Sequence, residues 1–149
     1  MGLTTDPKNP DLNQPDPTRP GQNKMYLVLS AEERAKGFVR PVRRSYKHVG
    51  DRPKYPLRDL TEEEKTRYAK FNYVKFEAYP ESEAPVNGVF WTQERLNSGC
   101  GIVTTMGQEL AETYARDPKF YGATFCCQCG VHRPVSEFVW EGTNEIVGS

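Results

Sequence analysis

The chain has 149 residues, and its twenty basic and twenty acidic side chains cancel to a formal net charge of zero. A neutral chain has no overall field that would draw it to nucleic acid or to a membrane surface, and no stretch approaches the roughly 18 apolar residues of a membrane-spanning helix. Only 36% of the residues are hydrophobic, and twelve glycines and twelve prolines indicate many loops. We therefore expect a small core that depends on an additional cross-link.

The N-terminal segment, residues 1–24, is polar and holds five of the twelve prolines. Such a composition cannot bury enough apolar surface to offset the entropy of ordering, so the sequence predicts an extended arm followed by a single domain over 25–149. The segment also lacks the apolar stretch of a secretion signal. In a reducing compartment we expect the four cysteines to hold a metal ion rather than to form disulfides.

The folded part begins with a predicted strand, Tyr26–Leu29. Ser30 is a good N-cap for a short helix over 31–36. The next run, residues 38–49, has the composition of a strand, but Pro41 cannot donate a backbone hydrogen bond. The sequence therefore predicts an edge strand or a bulged strand there.

The middle of the chain contains a second capping residue, Thr61, which predicts a helix to about residue 70. Residues 72–80 alternate in polarity, as expected of a strand with one apolar face. On that pattern the apolar face consists of Val74, Phe76 and Ala78, and the polar face includes Glu77.

The second half predicts a short helix over 90–99 with Thr92 as its cap, and then a strand over 100–106. Thr105 is the expected cap of the best-defined helix, which should end at Asp117 because a proline follows. The C-terminal segment, residues 123–149, is predicted to form two strands joined by a turn near 141–144.

The stretch "TFCCQCGVH" contains three of the four cysteines. Cys126 and Cys129 have the C-x-x-C spacing that directs two thiolates from one turn at a single zinc ion, and Gly130 suits the left-handed position that closes such a turn. Cys100 with Gly101 repeats the cysteine–glycine half of this pattern. The sequence therefore predicts a structural zinc site.

The fourth ligand is left open among His48, His132 and Cys127. His48 is favoured because it ends a strand-like run in the first half of the chain, where a two-knuckle zinc ribbon requires a ligand. His132 lies only three residues after Cys129 and would strain the hairpin. Cys127 should point away from the ion.

A redox C-x-x-C is disfavoured, because no helix begins at Cys126 to lower a thiol pKa. Buried, unligated thiols are a second alternative, although adjacent cysteines cannot both face one core from a strand. A catalytic zinc needs an open position and a nearby general base, and no motif of a known catalytic site is present. We therefore expect a protein that is not an enzyme.

The segment "RPVRRSYKH" is basic. Its side chains could contact phosphates, or they could keep an edge strand from pairing with another molecule. The zero net charge favours the second interpretation. The candidate contact residues are Arg40, Arg43, Arg44 and Lys47.

The stretches "DPKNPDLN", "YLVLSAEERAKGFVRPVRRSYKH", "CGIVTTM", "LAETYARDPKFYGATFC" and "EFVW" together resemble a group of small proteins encoded by tailed bacteriophages and prophages, over nearly the whole chain. The resemblance implies a phage origin and expression in the cytoplasm of a host bacterium. It also implies that a histidine and a cysteine, here His48 and Cys100, form one knuckle.

The expected fold is α+β, with zinc-ribbon-like knuckles, a small mixed or antiparallel sheet and two to four short helices. The expected function is that of a virion-associated structural protein, such as a capsid decoration or head-associated component, whose N-terminal arm engages other virion subunits. The alternative is an intracellular module that contacts nucleic acid or a host protein through residues 40–47. A small zinc hydrolase is the weakest hypothesis.

Overall fold

The computed structural model describes residues 2–80 and 88–149. The chain forms two compact units, the first comprising Met1–His48 with Cys100–Ser149 and the second comprising Val49–Gly99. These units differ from the predicted division into residues 1–24 and 25–149, because the N-terminal segment belongs to the first unit and the middle of the chain forms a unit of its own.

The predicted mixture of small sheets and short helices is confirmed, with four α-helices among the described residues. None of these helices is long and apolar enough to span a membrane. The elements are β1 (Gly2–Thr4), β2 (Met25–Leu27), α1 (Ala31–Arg34), β3 (Ser45–His48), β4 (Leu57–Asp59), α2 (Glu62–Arg67), β5 (Tyr73–Ala78), β6 (Gly88–Thr92), α3 (Gln93–Leu96), β7 (Val103–Thr105), α4 (Gln108–Arg116), β8 (Ala123–Cys126), β9 (Val131–Pro134) and β10 (Phe138–Trp140).

The main sheet of the first unit is antiparallel and has the strand order β10-β3-β7. The prediction of an edge or bulged strand over 38–49 is wrong, because only β3 is a strand and it lies in the centre. Pro41 precedes β3, so its missing N–H removes no ladder hydrogen bond. Tyr46 and His48 alternate with exposed Lys47 and face the core.

The core of the first unit is built around aromatic rings. Tyr46 meets Phe138 edge to face at 5.3 Å between ring centroids, and Tyr114 of α4 meets Trp140 in the same way at 5.6 Å. Such pairs add about 0.5–1.5 kcal/mol each to the free energy gained by burial. The buried members of this core are Tyr46, Met106, Ala111, Tyr114, Cys126, Phe138, Trp140 and Val147.

Helix α4 begins later than predicted. Thr105 is not its cap, because this residue ends β7 and its hydroxyl hydrogen-bonds to that of Ser45 at 3.0 Å. Gly107 takes the N-cap position without a side-chain hydrogen bond. The predicted end at Asp117 is confirmed.

The N-terminal segment contains a recurrent turn instead of the expected extended chain. Three Asx-Pro pairs begin at Asp6, Asn9 and Asp16, and in each the side-chain oxygen accepts the backbone N–H two residues later at 2.9 Å. Proline presets the backbone angle that follows the Asx residue, and the Asx oxygen supplies a local hydrogen-bond partner. These local contacts fold the segment without a large apolar surface.

This segment also packs on the β8–β9 hairpin of the same chain. Gly21 has φ +79°, and a Cβ at that position would lie 1.7 Å from the carbonyl oxygen of Gly130. Tyr26 adds a hydrogen bond between its hydroxyl and Nε2 of His132 at 3.1 Å. Only glycine allows the two backbones to approach this closely.

Replacing Gly21 with alanine should therefore release the N-terminal segment, because the new Cβ would displace the backbone of the hairpin. Limited trypsin digestion should show faster cleavage after Lys24 in Gly21→Ala than in the wild type. Gly142→Ala is a matched control, because Gly142 has φ +77° and a Cβ added there would meet no atom within 4 Å. Equal cleavage rates in the two variants would show that the close approach does not hold the segment.

The second unit is an antiparallel meander, β4-β5-β6. The helix predicted over 90–99 is in part wrong, because Trp91 lies in β6, although Thr92 caps α3 as expected.

The predicted polar face of β5 is also wrong, since Glu77 is only 2% exposed. Its carboxylate accepts hydrogen bonds from the Trp91 indole at 2.9 Å and from the backbone N–H groups of Lys54 and Tyr55 at 2.5 and 2.7 Å.

The two ends of the second unit meet. A Cβ on Gly50 would lie 2.2 Å from the backbone nitrogen of Gly99, and a Cβ on Gly99 would lie 2.2 Å from the carbonyl carbon of Val49. Glycine at both positions allows this contact. The chain therefore leaves the first unit and returns to it at nearly the same point.

Candidate metal centre

Cys126 and Cys129 lie on the turn that joins β8 to β9. The backbone N–H of Gly130 donates to the carbonyl of Cys126 at 2.8 Å, and Gly130 has the left-handed φ of +70° that closes this turn. The N–H of Cys129 points at the Cys126 sulfur at 3.4 Å. The turn thus places both sulfurs on one side, as the C-x-x-C spacing predicts.

His48 and Cys100 come together although they lie 52 positions apart in the sequence. The N–H of Gly101 donates to the His48 carbonyl at 2.8 Å, and the His48 N–H donates to the carbonyl of Ile102 at 3.1 Å. These bonds extend the pairing of β3 with β7 to the point where the second unit begins and ends. His48 and Cys100 can therefore be far apart in the sequence while they lie close together in space.

The structure brings all four predicted ligands into one cluster. The candidate ligand atoms of His48, Cys100, Cys126 and Cys129 lie within 4.8 Å of one another. The sulfurs of Cys100 and Cys126 are 3.5 Å apart, and Nδ1 of His48 is 3.5 Å from the Cys129 sulfur. A disulfide needs sulfurs at about 2.05 Å, so these thiols are free. Three thiols and one imidazole arranged in this way can hold a metal ion.

The thiols of the C-x-x-C turn differ in their acidity. Burial opposes ionisation of Cys126, but the N–H groups of Cys129 and Gln128 and the Cys100 thiol outweigh it and hold the pKa of Cys126 below its usual value. Burial and the neighbouring Cys126 sulfur raise the pKa of Cys129 to about 11. Ionisation of Cys126 therefore opposes ionisation of Cys129, and a cation between them would favour the ionised form of both.

The carboxylate of Glu137 orients the His48 ring through Nε2. Nε2 of His48 lies 3.0 Å from a carboxylate oxygen of Glu137, and the His48 side chain is fully buried. Donation of the Nε2 proton to Glu137 leaves the lone pair on Nδ1, the atom that faces Cys129. Metal-binding histidines commonly have such a partner. The sequence reasoning missed Glu137, which no spacing links to His48.

The other two candidates for the fourth ligand lie outside this cluster. Cys127 is exposed, its N–H donates to the Thr104 hydroxyl, and its sulfur lies 3.6 Å from the carbonyl of Val103. His132 contacts Tyr26, as described above. Burial lowers the pKa of His132. Neither residue belongs to the cluster of His48, Cys100, Cys126 and Cys129.

The arginines of the basic segment contact other residues of the same chain. Arg43 forms an ion pair with Glu145 at 2.7 Å. Arg40 and Arg44 each donate through Nε to a backbone carbonyl, at 3.2 and 3.0 Å. Lys47 is exposed on β3. These contacts account for the arginines structurally, and their contact with phosphate stays a prediction.

Comparison of the chain with protein-family models, with curated proteins and with solved structures finds no match.

Proposed function

We propose that His48, Cys100, Cys126 and Cys129 bind one structural zinc ion in a zinc-ribbon-like centre. The supporting observation is the spacing of the ligand atoms. In a tetrahedral site with Zn–S of about 2.3 Å and Zn–N of about 2.0–2.1 Å, two sulfurs lie about 3.8 Å apart and a sulfur and a nitrogen about 3.5 Å apart. The observed separations of 3.5 Å for Cys100–Cys126 and 3.5 Å for Cys129–His48 are close to these values.

The donor set favours zinc and a structural role. Three thiolates and an imidazole are soft and borderline ligands that suit zinc rather than magnesium or calcium. Four protein ligands complete a tetrahedron, so no position is left for a water molecule to be activated. His48 and Cys126 are completely buried, and Cys100 and Cys129 are half-buried, so the protein shields much of the centre from solvent.

The proposed ion would stabilise the fold by joining distant parts of the chain. It would link the end of β3, the segment that precedes β7 and the β8–β9 turn. Cys126 belongs to the hydrophobic core, and Cys100 and Cys129 pack against it. A chain with few apolar residues gains most from such a link, because its core alone contributes little stability.

A metal assay tests this proposal directly. The full chain purified without chelator should contain about one zinc per molecule, as expected for a closed site with four protein ligands. Removal of the ion by a chelator at neutral pH should lower the melting temperature, and added zinc should restore it. Protein that contains little zinc and melts identically with and without chelator would refute the proposal.

Removing the Glu137 carboxylate should weaken metal binding. Glu137→Ala takes away the acceptor that orients His48, and changes of this kind typically lower metal affinity about 10–100-fold. Competition with a chromophoric chelator measures the affinity. Glu141→Ala is the matched control, because Glu141 is an exposed carboxylate nearby. An affinity equal to that of the control would contradict a role for Glu137 in positioning His48.

As the cellular role we propose a structural component of a phage virion, such as a capsid decoration or head-associated protein, rather than an enzyme. The closed ligand set supports the absence of catalysis at the metal, and the resemblance supports the setting. The N-terminal segment packs on its own chain, so contact with neighbouring subunits would involve the outer surface of this folded segment. Expression in the host cytoplasm would precede incorporation into the virion.

Mass spectrometry of purified virions and of infected-cell lysate tests this role. We expect the protein at a fixed copy number per virion. Detection of the protein in the lysate alone would contradict the virion role and would favour an intracellular partner. Nucleic-acid binding that falls steeply with salt and is abolished by Arg43→Ala together with Arg44→Ala would favour the alternative module.

A further inference from the structure

A cavity of about 330 Å³ lies in the first unit, separate from the proposed metal ligands. Its walls come from α4, β7, the β8–β9 hairpin and the N-terminal segment. The volume falls at the lower end of the range for small-molecule sites in proteins.

The cavity has a buried floor and an exposed rim. Tyr46, Tyr114 and Thr124 are only 2%, 4% and 8% exposed. Ala123 and Cys127 at the other end are exposed. A small molecule can therefore enter from solvent and reach polar groups that are largely shielded from water, where a hydrogen bond contributes more to specificity.

Among the described residues that line the cavity, none is an aspartate, glutamate, lysine or arginine. His132 is the imidazole in this lining, and burial lowers its pKa, which favours the neutral ring. An anion or cation would lose hydration here without meeting a partner of opposite charge, which is unfavourable. The lining therefore selects a neutral ligand.

Aromatic rings form much of the wall. Tyr114 and Tyr121 lie 4.7 Å apart between ring centroids, and Phe125 and His132 lie 5.7 Å apart. Rings of this kind contact a flat ligand through offset-stacked or edge-to-face geometry. Together with the modest volume, they favour a planar molecule of one or two rings.

The floor offers hydroxyl groups for recognition. The Tyr46 hydroxyl donates to the Phe125 carbonyl at 2.5 Å. Tyr114 and Thr124 are also largely buried and line the same cavity. A hydroxyl donates once and accepts twice, so these three side chains offer acceptor capacity to a ligand at the floor.

We propose that this cavity binds a neutral, planar aromatic molecule that carries an N–H or O–H group, which donates to the hydroxyls of Tyr114 and Thr124. This activity is distinct from the proposed structural role of zinc. The metal centre would support the site only indirectly, by holding the β8–β9 hairpin in place.

Indole is a suitable probe because it is neutral and planar and has one N–H. Titration of the full-length protein with indole, followed by ligand-detected NMR, should give saturable binding to one site. Benzoate is similar in size but anionic, and it should bind at least about tenfold more weakly because its charge has no partner. The absence of saturable indole binding, or equal affinity for benzoate, would overturn the proposal.

Thr124→Val removes the floor hydroxyl while it preserves the shape of the side chain, and it should weaken indole binding about fivefold. Thr66→Val is the matched control, since Thr66 is exposed on α2 of the second unit. Wild-type metal content and melting temperature would establish that both variants are folded. Unchanged affinity in a folded Thr124→Val would overturn the assignment of the recognising group.

Alkylation of Cys127, which lies on the rim, is a second measurement of where indole binds. Saturating indole should slow alkylation of this thiol by iodoacetamide in the metal-loaded protein, while benzoate at the same concentration should have no effect. Mass spectrometry of the digested protein measures modification at Cys127 alone. Indole binding without protection of Cys127 would place the probe elsewhere and would overturn the proposal.

Discussion

Replacing Cys129 with serine is expected to abolish zinc binding and to unfold the first compact unit. A serine hydroxyl is not a zinc ligand of thiolate strength, so only three of the proposed ligands would remain. Structural zinc contributes an apparent free energy of about 10–16 kcal/mol in small domains, which matches or exceeds the stability of about 5–15 kcal/mol of a whole protein. Zinc analysis and thermal melting followed by circular dichroism measure the two effects.

Cys127→Ser is the matched control for this experiment. The substitution is the same and lies two positions away, but Cys127 is exposed and outside the ligand cluster. This variant should retain one zinc and melt like the wild type. If Cys129→Ser also melted like the wild type, the metal centre would have no structural importance.

Replacing Glu77 with alanine is expected to destabilise the second unit by about 3–5 kcal/mol. The change removes the shared acceptor of the Trp91 indole and of two backbone N–H groups. A buried donor that loses its acceptor, such as the Trp91 indole, costs about 1–3 kcal/mol, and the two backbone N–H groups are partly buried. Urea denaturation gives the change in unfolding free energy, and hydrogen–deuterium exchange should show faster exchange in β4, β5 and β6.

Glu94→Ala serves as the control for Glu77→Ala, because Glu94 is exposed in the same unit. It should change the unfolding free energy by less than about 0.5 kcal/mol, as is usual for surface positions. A Glu77→Ala protein as stable as this control would mean that water replaces the carboxylate without cost. Exchange that rises in the first unit rather than in β4–β6 would contradict the local explanation.

Local signals in the sequence were accurate where one short segment decides the structure. Ser30, Thr61 and Thr92 all cap helices as predicted, because each hydroxyl accepts the N–H of the residue three positions later. The turn from Cys126 to Gly130 follows the same logic, since its spacing alone orients both sulfurs.

Local signals failed where a residue had two possible partners. Thr105 has the pattern of a helix cap, but its hydroxyl pairs with Ser45 across the sheet instead. Glu77 alternates with apolar neighbours and the pattern assigns it to the polar face, yet it is buried because its hydrogen-bond donors come from a preceding loop and from Trp91 in the neighbouring strand. Neither outcome could be predicted, because alternation identifies the two faces of a strand and not which face other segments cover.

The N-terminal segment shows a third kind of failure. Its composition correctly indicated a lack of apolar surface, but composition ignores order along the chain. The Asx-Pro pairs that begin at Asp6, Asn9 and Asp16 were visible in the sequence and would have predicted turns. The approach of Gly21 to Gly130 was not visible, since it joins residues more than a hundred positions apart.

The sequence by itself identified the C-x-x-C turn of Cys126 and Cys129 and favoured Cys100 and His48 as its partners, because cysteine and histidine are few in this chain and their types and spacing restrict the chemistry. Only the tertiary structure decided that His48 joins Cys100, Cys126 and Cys129, that Glu137 orients it, and that an uncharged cavity lies nearby. The reason is physical. Ligand chemistry belongs to individual side chains and short turns, whereas pairing across an inserted unit depends on backbone contacts, such as that between Gly50 and Gly99, which no local pattern encodes.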